Sequence, residues 1–328
     1  MAELLPLPAE TVASAPLVSV GVPTFNRAAT IERALVSVLA QDYPNIEVVV
    51  SDNASSDATE AVCRRLARGD PRVRYLRQTA NRGPTENFME VLRQARGEYF
   101  MWLGDDDWLP GHSYISTCTA FLISHPDHAL ACGVARYFRD GACAGEGNTI
   151  DLPQESPADR VAAYYAAVRD NGTFYGVMRR EQLLRVEMKP LLANDWLLTG
   201  GIAFQGKVKT LGGIAVNRDD NTPERTFARL AMDNALHPLR ARWPYLSISL
   251  SVLREIAIAC PVYATLTRSG RVALGLRCLA IVVRQHAWPG MREKLRRTAR
   301  RALPPPVRAA LRSFLRRLRT SLPNGRGR

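Results

Sequence analysis

The run Tyr99-Phe100-Met101-Trp102-Leu103-Gly104-Asp105-Asp106-Asp107-Trp108 constrains this chain more than any other stretch. Five consecutive apolar side chains, rich in aromatic rings, predict a strand buried on both faces and therefore inside a sheet. Gly104 breaks the run, and three adjacent carboxylates follow where the strand leaves the sheet. Like charges this close resist ionising together, and a divalent cation is the simplest relief. The carboxyl end of an internal α/β strand is also where such sheets take ligands. A solvated acidic turn leading into the next helix is the alternative.

The segments before it repeat one pattern. Leu17 to Val22 is a β-branched run closed by Pro23, and Ile31, Ala34, Leu35, Val38 and Leu39 then recur at helical spacing. Ile46 to Val50 predicts a second strand ending in the loop Asp52-Asn53-Ala54-Ser55-Ser56-Asp57, with Asp57 and Glu60 spaced to cap the next helix. Arg72 to Leu76 predicts a third strand. Asn81-Arg82-Gly83-Pro84 is a turn that sets Pro84 at the first position of a helix through Phe88, Val91 and Leu92. Alternation of this kind implies parallel strands, right-handed crossovers and a crevice at the strands' carboxyl ends. Asp52 and Asp105 to Asp107 both stand at such ends.

Farther along, Ala129 to Phe138, Phe174 to Met178 and Lys207 to Val216 have strand character, whereas Asp140 to Pro157 predicts an exposed loop over the crevice. Asp195 heads the apolar helix that begins in Leu192-Ala193-Asn194-Asp195-Trp196, where a cap or first-turn acid is one reading. From Leu246 the pattern is helical, with Leu246, Leu250, Leu253, Ile256 and Ala257 on one face, predicted to pack on the sheet domain.

A formal charge of +13 suggests nucleic acid until it is located. Residues 254–328 hold 18 Lys/Arg against Glu255 and Glu293, and the first 253 residues hold 26 basic and 29 acidic side chains. After Pro289, two basic helices divided by Pro304-Pro305-Pro306 are expected. In the second, Val307, Ala310, Leu311, Phe314, Leu315 and Leu318 make a narrow apolar stripe among arginines, which fits an anionic membrane surface. One Phe, one Trp and no recognisable motif in this tail argue against nucleic acid. The six cysteines lack ligand or disulfide spacing, Met1 to Pro16 lacks a signal sequence, and Val272 to Val283 is too short to span a bilayer. The expectation is a protein of the cytosolic side, peripheral on the inner face of the cell membrane.

The run Val18 to Arg27, the helix end Ser37-Val38-Leu39-Ala40-Gln41, the loop Asp52 to Asp57, Asn81-Arg82-Gly83, and Gly97-Glu98-Tyr99 with its acidic triplet resemble, in this order and spacing, glycosyltransferase family 2. The resemblance covers roughly residues 16 to 220. It implies a GT-A type nucleotide-diphospho-sugar transferase fold, with a mostly parallel central sheet flanked by helices, at residues 16–245. Residues 1–15 form an N-terminal extension on this reading, and residues 246–328 a basic helical region that meets the membrane.

By the same resemblance, Pro23, Thr24, Phe25 and Asn26 wall the nucleoside, Asp52 accepts a hydrogen bond from the base, and Arg82 lies near the nucleotide unless it forms a surface salt bridge. Asp105 faces the ribose or a metal-bound water. Asp106 ligates Mg²⁺ or Mn²⁺, with Asp107 grouped with it as orienter or sugar contact. Gly104 stands where many members carry an acid, which leaves open which of the triplet is the principal ligand. Asp195 falls where the family's acceptor base is expected, and Trp196, Trp243 and Arg179 are candidate acceptor contacts. The implied reaction is metal-dependent inverting transfer of a sugar from a nucleotide-diphosphate donor to a glycan or lipid-linked acceptor in cell-surface polysaccharide synthesis. A catalytically inactive scaffold of the same fold is the alternative. A nucleotidyltransferase is disfavoured, because Pro23-Thr24-Phe25-Asn26-Arg27 is not a Gly-rich phosphate loop.

Overall fold

The computed structural model describes residues 15–220 and 226–287. The expected alternation is present as β1 (Val18–Thr24), α1 (Ile31–Leu39), β2 (Ile46–Asp52), α2 (Thr59–Gly69), β3 (Val73–Arg77), α3 (Pro84–Gln94) and β4 (Tyr99–Trp102). These strands run parallel in the order β3-β2-β1-β4. Every residue of β1, β2 and β4 is buried, as a sheet covered by helices on both faces requires. α1 buries Ile31, Ala34, Leu35 and Val38, the expected stripe, and Pro84 occupies the first turn of α3. The strands run past the apolar residues that announce them. Pro23 lies inside β1 opposite Ser51, which brings Thr24 and Asp52 out side by side.

Next come α4 (Tyr114–Ser124), β5 (His128–Arg139), β6 (Ala142–Glu146), α5 (Pro157–Ala167), β7 (Val177–Arg179), α6 (Arg180–Leu183), α7 (Asn194–Gln205) and β8 (Lys207–Asp219). β7 is antiparallel to both β4 and β5, so β4 is internal as expected, flanked by β1 and β7. β8 runs parallel along β5, and its end at Asp219 reaches the same edge of the sheet as Asp52 and the acidic loop.

Three expectations change. Asp140 to Pro157 is no open loop: β6 folds back on β5 as a hairpin, and Leu152 bridges to Val208 with Ile150 and Leu152 both buried. Phe174 and Tyr175 lie in a 3₁₀ turn (Gly172–Tyr175), which stacks the Phe174 ring on Trp102 at 4.6 Å and 9°. Asp57 caps α2 from one residue outside the Ala58 cap position, accepting the Thr59 N–H at 2.9 Å, while Glu60 pairs with Arg64 and Arg77 and closes no capping box.

The remaining helices are α8 (Phe227–Asp233), α9 (Pro238–Arg242), α10 (Pro244–Arg254), continued by a π-helical turn at Glu255–Ala259, and α11 (Arg268–Val282). α10 turns Ile248 and Val252 inward, followed by Ile256 of the next turn, and leaves Leu246 and Leu250 39% and 53% exposed. The face predicted to be buried is therefore rotated, because α11 packs against α10 at Gly275. A Cβ at 275 would stand 2.8 Å from Leu253 Cδ1. These helices share one continuous core with the sheet, and the expected division at residue 245/246 falls inside α10. Among the described residues no helix is long and apolar enough to cross a membrane. All six cysteines are free thiols. The N-terminal extension through residue 14 and the basic helices expected after Pro289 lie outside the described residues.

Candidate functional site

The site is built where β1, β2, β4 and β8 end. Asn87 of α3 donates to the carbonyls of Thr24 (3.2 Å) and Ser51 (3.0 Å), which fixes the ends of β1 and β2 to each other. Asn26 adopts a left-handed backbone (φ 53°), a conformation asparagine tolerates. Its N–H donates to Ser55 Oγ and its Oδ1 accepts the Ser56 N–H, so the loops after β1 and β2 are fastened together. Pro23 and Thr24 are buried, and the Phe25 ring is exposed at the mouth.

Asp52 departs from the role implied by the resemblance. Its carboxylate is fully buried, accepting from Ser55 N–H (2.8 Å), Tyr75 Oη (2.7 Å) and Arg77 (3.1 Å). With both oxygens engaged and no exposed surface, Asp52 anchors the loop that shapes the pocket and does not itself reach a base. Arg82 takes the other of its two readings: its guanidinium pairs with Glu86 at 2.9 Å on the first turn of α3.

In the acidic loop the three carboxylates have different fates. Asp105 Oδ2 accepts the Phe25 N–H at 3.4 Å, and Oδ1 lies 3.5 Å from Arg27 Nε. Burial and the neighbouring charge of Asp106 push the Asp105 carboxyl up to about 7, against the pull of Arg27, Thr24 and the Phe25 N–H. Asp106 is 6% exposed, and its carbonyl accepts Arg33 at 2.6 Å. Arg33 itself lies 3.9 Å from the Trp108 ring centroid and 3.3 Å from Asp219. Asp107 is sealed from solvent. Its Oδ2 is 2.6 Å from Arg218 Nε, and its Oδ1 accepts the Asp219 N–H at 3.1 Å. Grouping Asp107 with the metal ligands is corrected on this geometry, since its charge is already neutralised by a buried guanidinium.

Asp105 and Asp106 fit a hard divalent cation held jointly with a ligand. Two carboxylates leave the other positions of an octahedral ion to water and phosphate oxygens, the usual arrangement for Mg²⁺. The upward push that the Asp106 charge exerts on Asp105 is what a cation would remove. Among the described residues no group of three or more His, Cys, Asp or Glu forms a complete metal cage.

Asp195 is the second residue of α7, entered through Ala193 in a left-handed conformation (φ 54°). Asp195 is therefore a first-turn acid and not a cap; its Oδ1 accepts the Trp196 N–H at 2.8 Å. Burial raises its pKa, and the Trp196 N–H, Asn171 and Arg218 oppose the shift. It lines a cavity of about 580 Å³ together with Asn171, Tyr175, Trp196 and Arg218. Arg218 donates to Asn171 Oδ1 (2.9 Å) and Tyr175 Oη (3.1 Å), so one guanidinium joins the acidic loop to the Asp195 cavity.

Of the candidate acceptor contacts, Trp196 lines this cavity and Trp243 a neighbouring groove. Arg179 is a latch at the opposite end of β4, donating to His128 O, Leu122 O and Tyr99 Oη. Sequence reasoning missed Arg27, Arg33, Asn87, Arg218 and Asp219. Arg27 carried a signal, a lone cation directly after the first strand; Arg218 and Asp219 carried none, because the register of β8 alone brings them here.

Residues 19–181 match the family model described as glycosyl transferase family 2. A Campylobacter jejuni protein named GalNAc(5)-diNAcBac-PP-undecaprenol beta-1,3-glucosyltransferase is 44% identical over 169 residues, covering 51% of this chain and 53% of that protein. The chain thus matches about half the length of this relative. Among solved structures, the Pyrobaculum calidifontis mannosyltransferase PcManGT, in complex with GDP-Man and Mn²⁺, superposes with a TM-score of 0.54 at 20% identity, covering 94% of this chain and 81% of that one. S. aureus TarS 1-349 in complex with UDP-GlcNAc gives 0.53 at 17% identity, covering 81% of each. At these identities the likeness shows the fold, which is of the GT-A type.

Proposed function

The chain belongs to glycosyltransferase family 2 through its domain at residues 19–181, and from that premise we propose that it transfers a sugar from a nucleotide-diphosphate donor, with inversion, to a glycan or lipid-linked acceptor. The observation that carries this reading is the pairing of two adjacent carboxylates at the strand end, Asp105 and Asp106, with a separate buried carboxylate, Asp195, across Arg218.

The Phe25 ring offers the base an exposed aromatic face, with Asn26 and the buried Pro23 and Thr24 as its footing. Asp105 and Asp106 would hold Mg²⁺ or Mn²⁺, which when bound neutralises the charge that builds on a departing diphosphate. Arg27 and Arg33 add positive charge beside the same loop. Asp195 takes the proton of the acceptor hydroxyl as that oxygen attacks the anomeric carbon opposite the leaving group. One displacement inverts configuration, so an α-linked donor gives a β-linked product.

The relative's name, with its undecaprenol diphosphate, supports a lipid-linked acceptor in cell-surface glycan assembly. The 18 basic residues from Arg254 onward support peripheral attachment to the inner face of the membrane. The deciding experiment is a panel of nucleotide sugars with Mg²⁺ or Mn²⁺, scored for nucleoside diphosphate release. Metal-dependent release from one donor is expected. Tight nucleotide binding without release from any donor on any acceptor selects the inactive scaffold instead.

A further inference from the structure

A second concavity adjoins the Asp195 cavity. α9 and α10 form a groove of about 620 Å³ lined by Leu239, Trp243, Leu246 and Leu250, with Arg240, Arg254, Ser247 and Ser251 among them and no carboxylate among the described lining residues. Its volume lies within the ~300–1,000 Å³ usual for small-molecule sites. Leu239 and Leu250 are 62% and 53% exposed, and Trp243 and Leu246 39% each. Exposed apolar side chains grouped in this way commonly mark an interaction surface. Leu191 lines both this groove and the Asp195 cavity, so the two adjoin at that side chain.

We propose that this groove binds the diphosphate and first isoprenoid units of a polyprenyl-linked acceptor, whose sugar end reaches Asp195. The inference rests on the glycosyltransferase reading and extends it to the lipid portion of the substrate. Two observations select that occupant. Among the described residues the lining joins four large apolar side chains to two arginines and two serines, Arg254 lying 3.5 Å from Glu255, which matches an anionic amphiphile. Adjacency at Leu191 puts the groove beside the Asp195 cavity, with the diphosphate held by Arg240 and Arg254 and the prenyl chain on Leu246, Leu250 and Trp243.

The test is displacement of a fluorescent prenyl diphosphate from the full chain by farnesyl diphosphate, farnesol and inorganic diphosphate, with saturating nucleoside diphosphate and Mn²⁺ occupying the donor site. Farnesyl diphosphate should compete best. Leu246→Glu and Leu250→Glu, at exposed positions that folding tolerates, should each weaken it about tenfold. Arg240→Ala and Arg254→Ala should weaken farnesyl diphosphate and not farnesol. All four variants should bind the nucleotide as the wild type does. The proposal is overturned if wild type does not bind farnesyl diphosphate, or if the leucine variants bind it normally. It is equally overturned if those variants lose only their pelleting with anionic vesicles, which makes the groove a membrane-docking face. Failure of nucleotide binding in the wild type is a separate readout and strikes the glycosyltransferase reading itself.

Discussion

Arg218 Nε lies 2.6 Å from Asp107 Oδ2, with the two side chains 2% and 0% exposed. Burial works against the guanidinium's charge, but the Asp107 carboxylate, with Tyr175, Tyr137 and Asp106 behind it, more than offsets that and raises its pKa. The pair ties the acidic loop to β8 and, through Asn171 and Tyr175, to the wall of the Asp195 cavity.

Breaking it from one side leaves a buried charge without a partner. Asp107→Asn is expected to cost ~3–5 kcal/mol in urea unfolding. Replacing both partners by apolar residues, Asp107→Leu with Arg218→Met, should recover most of that stability. An unchanged midpoint for the single variant would count against a tightly coupled pair.

Asp105 predicts how metal binding depends on pH. Its carboxyl is raised from 3.8 to about 7, so below 7 it holds a proton that an arriving cation must displace. Apparent Mn²⁺ affinity should fall about tenfold per pH unit below 7, with proton release measurable by calorimetry in two buffers. The stability sign is the opposite of a salt-bridged aspartate. The fold favours the neutral form, so metal-free protein loses stability as pH rises from 3.8 to about 7. A flat Mn²⁺ affinity from pH 5.5 to 7.5 would exclude Asp105 from the metal site.

Removing the acceptor base separates chemistry from binding. Asp195→Asn should slow transfer by roughly 10²–10⁴-fold while leaving nucleotide affinity intact. Because burial raises the Asp195 pKa and only the ionised form accepts a proton, the wild-type rate should climb with pH through that raised value. The variant's residual rate should lack this limb. Transfer at the wild-type rate would remove Asp195 from the mechanism.

Asn87 has no proposed ligand contact, yet it ties the end of β1, where Thr24 meets the nucleotide site, to the end of β2. Asn87→Ala removes one donor from each of the Thr24 and Ser51 carbonyls, the former keeping the Asn53 N–H at 2.9 Å, at an expected ~1 kcal/mol. It should raise the donor's KM and leave the pH limb of kcat in place. Equal losses in KM and kcat would point instead to general unfolding of the site.

The first half of the fold was legible because its evidence is local. Ile31, Ala34, Leu35 and Val38 repeat at helical spacing, and the β4 apolar run is too continuous for a strand with one wet face. The acidic loop was legible as a site, but the separate roles of its members were not. Asp107 looks like Asp106 in sequence, and only the β8 register brings Arg218 to it. Asp52 was misread for the same reason, since Tyr75 and Arg77 enclose it from the next strand. On α10, Leu246 and Leu250 share a helical face with Leu253, and only the position of α11 reveals that Ile248 and Val252 turn inward.

Gly104 closes the account of the acidic loop. A Cβ there would stand 2.5 Å from Asp107 Oδ2 and 3.1 Å from Asp106 Oδ1, and Asp107 is clamped and cannot swing aside alone. Any side chain at 104 therefore requires the Asp107 carboxylate, and with it the Arg218 clamp, to shift, so Gly104 is what lets this strand end close onto β8.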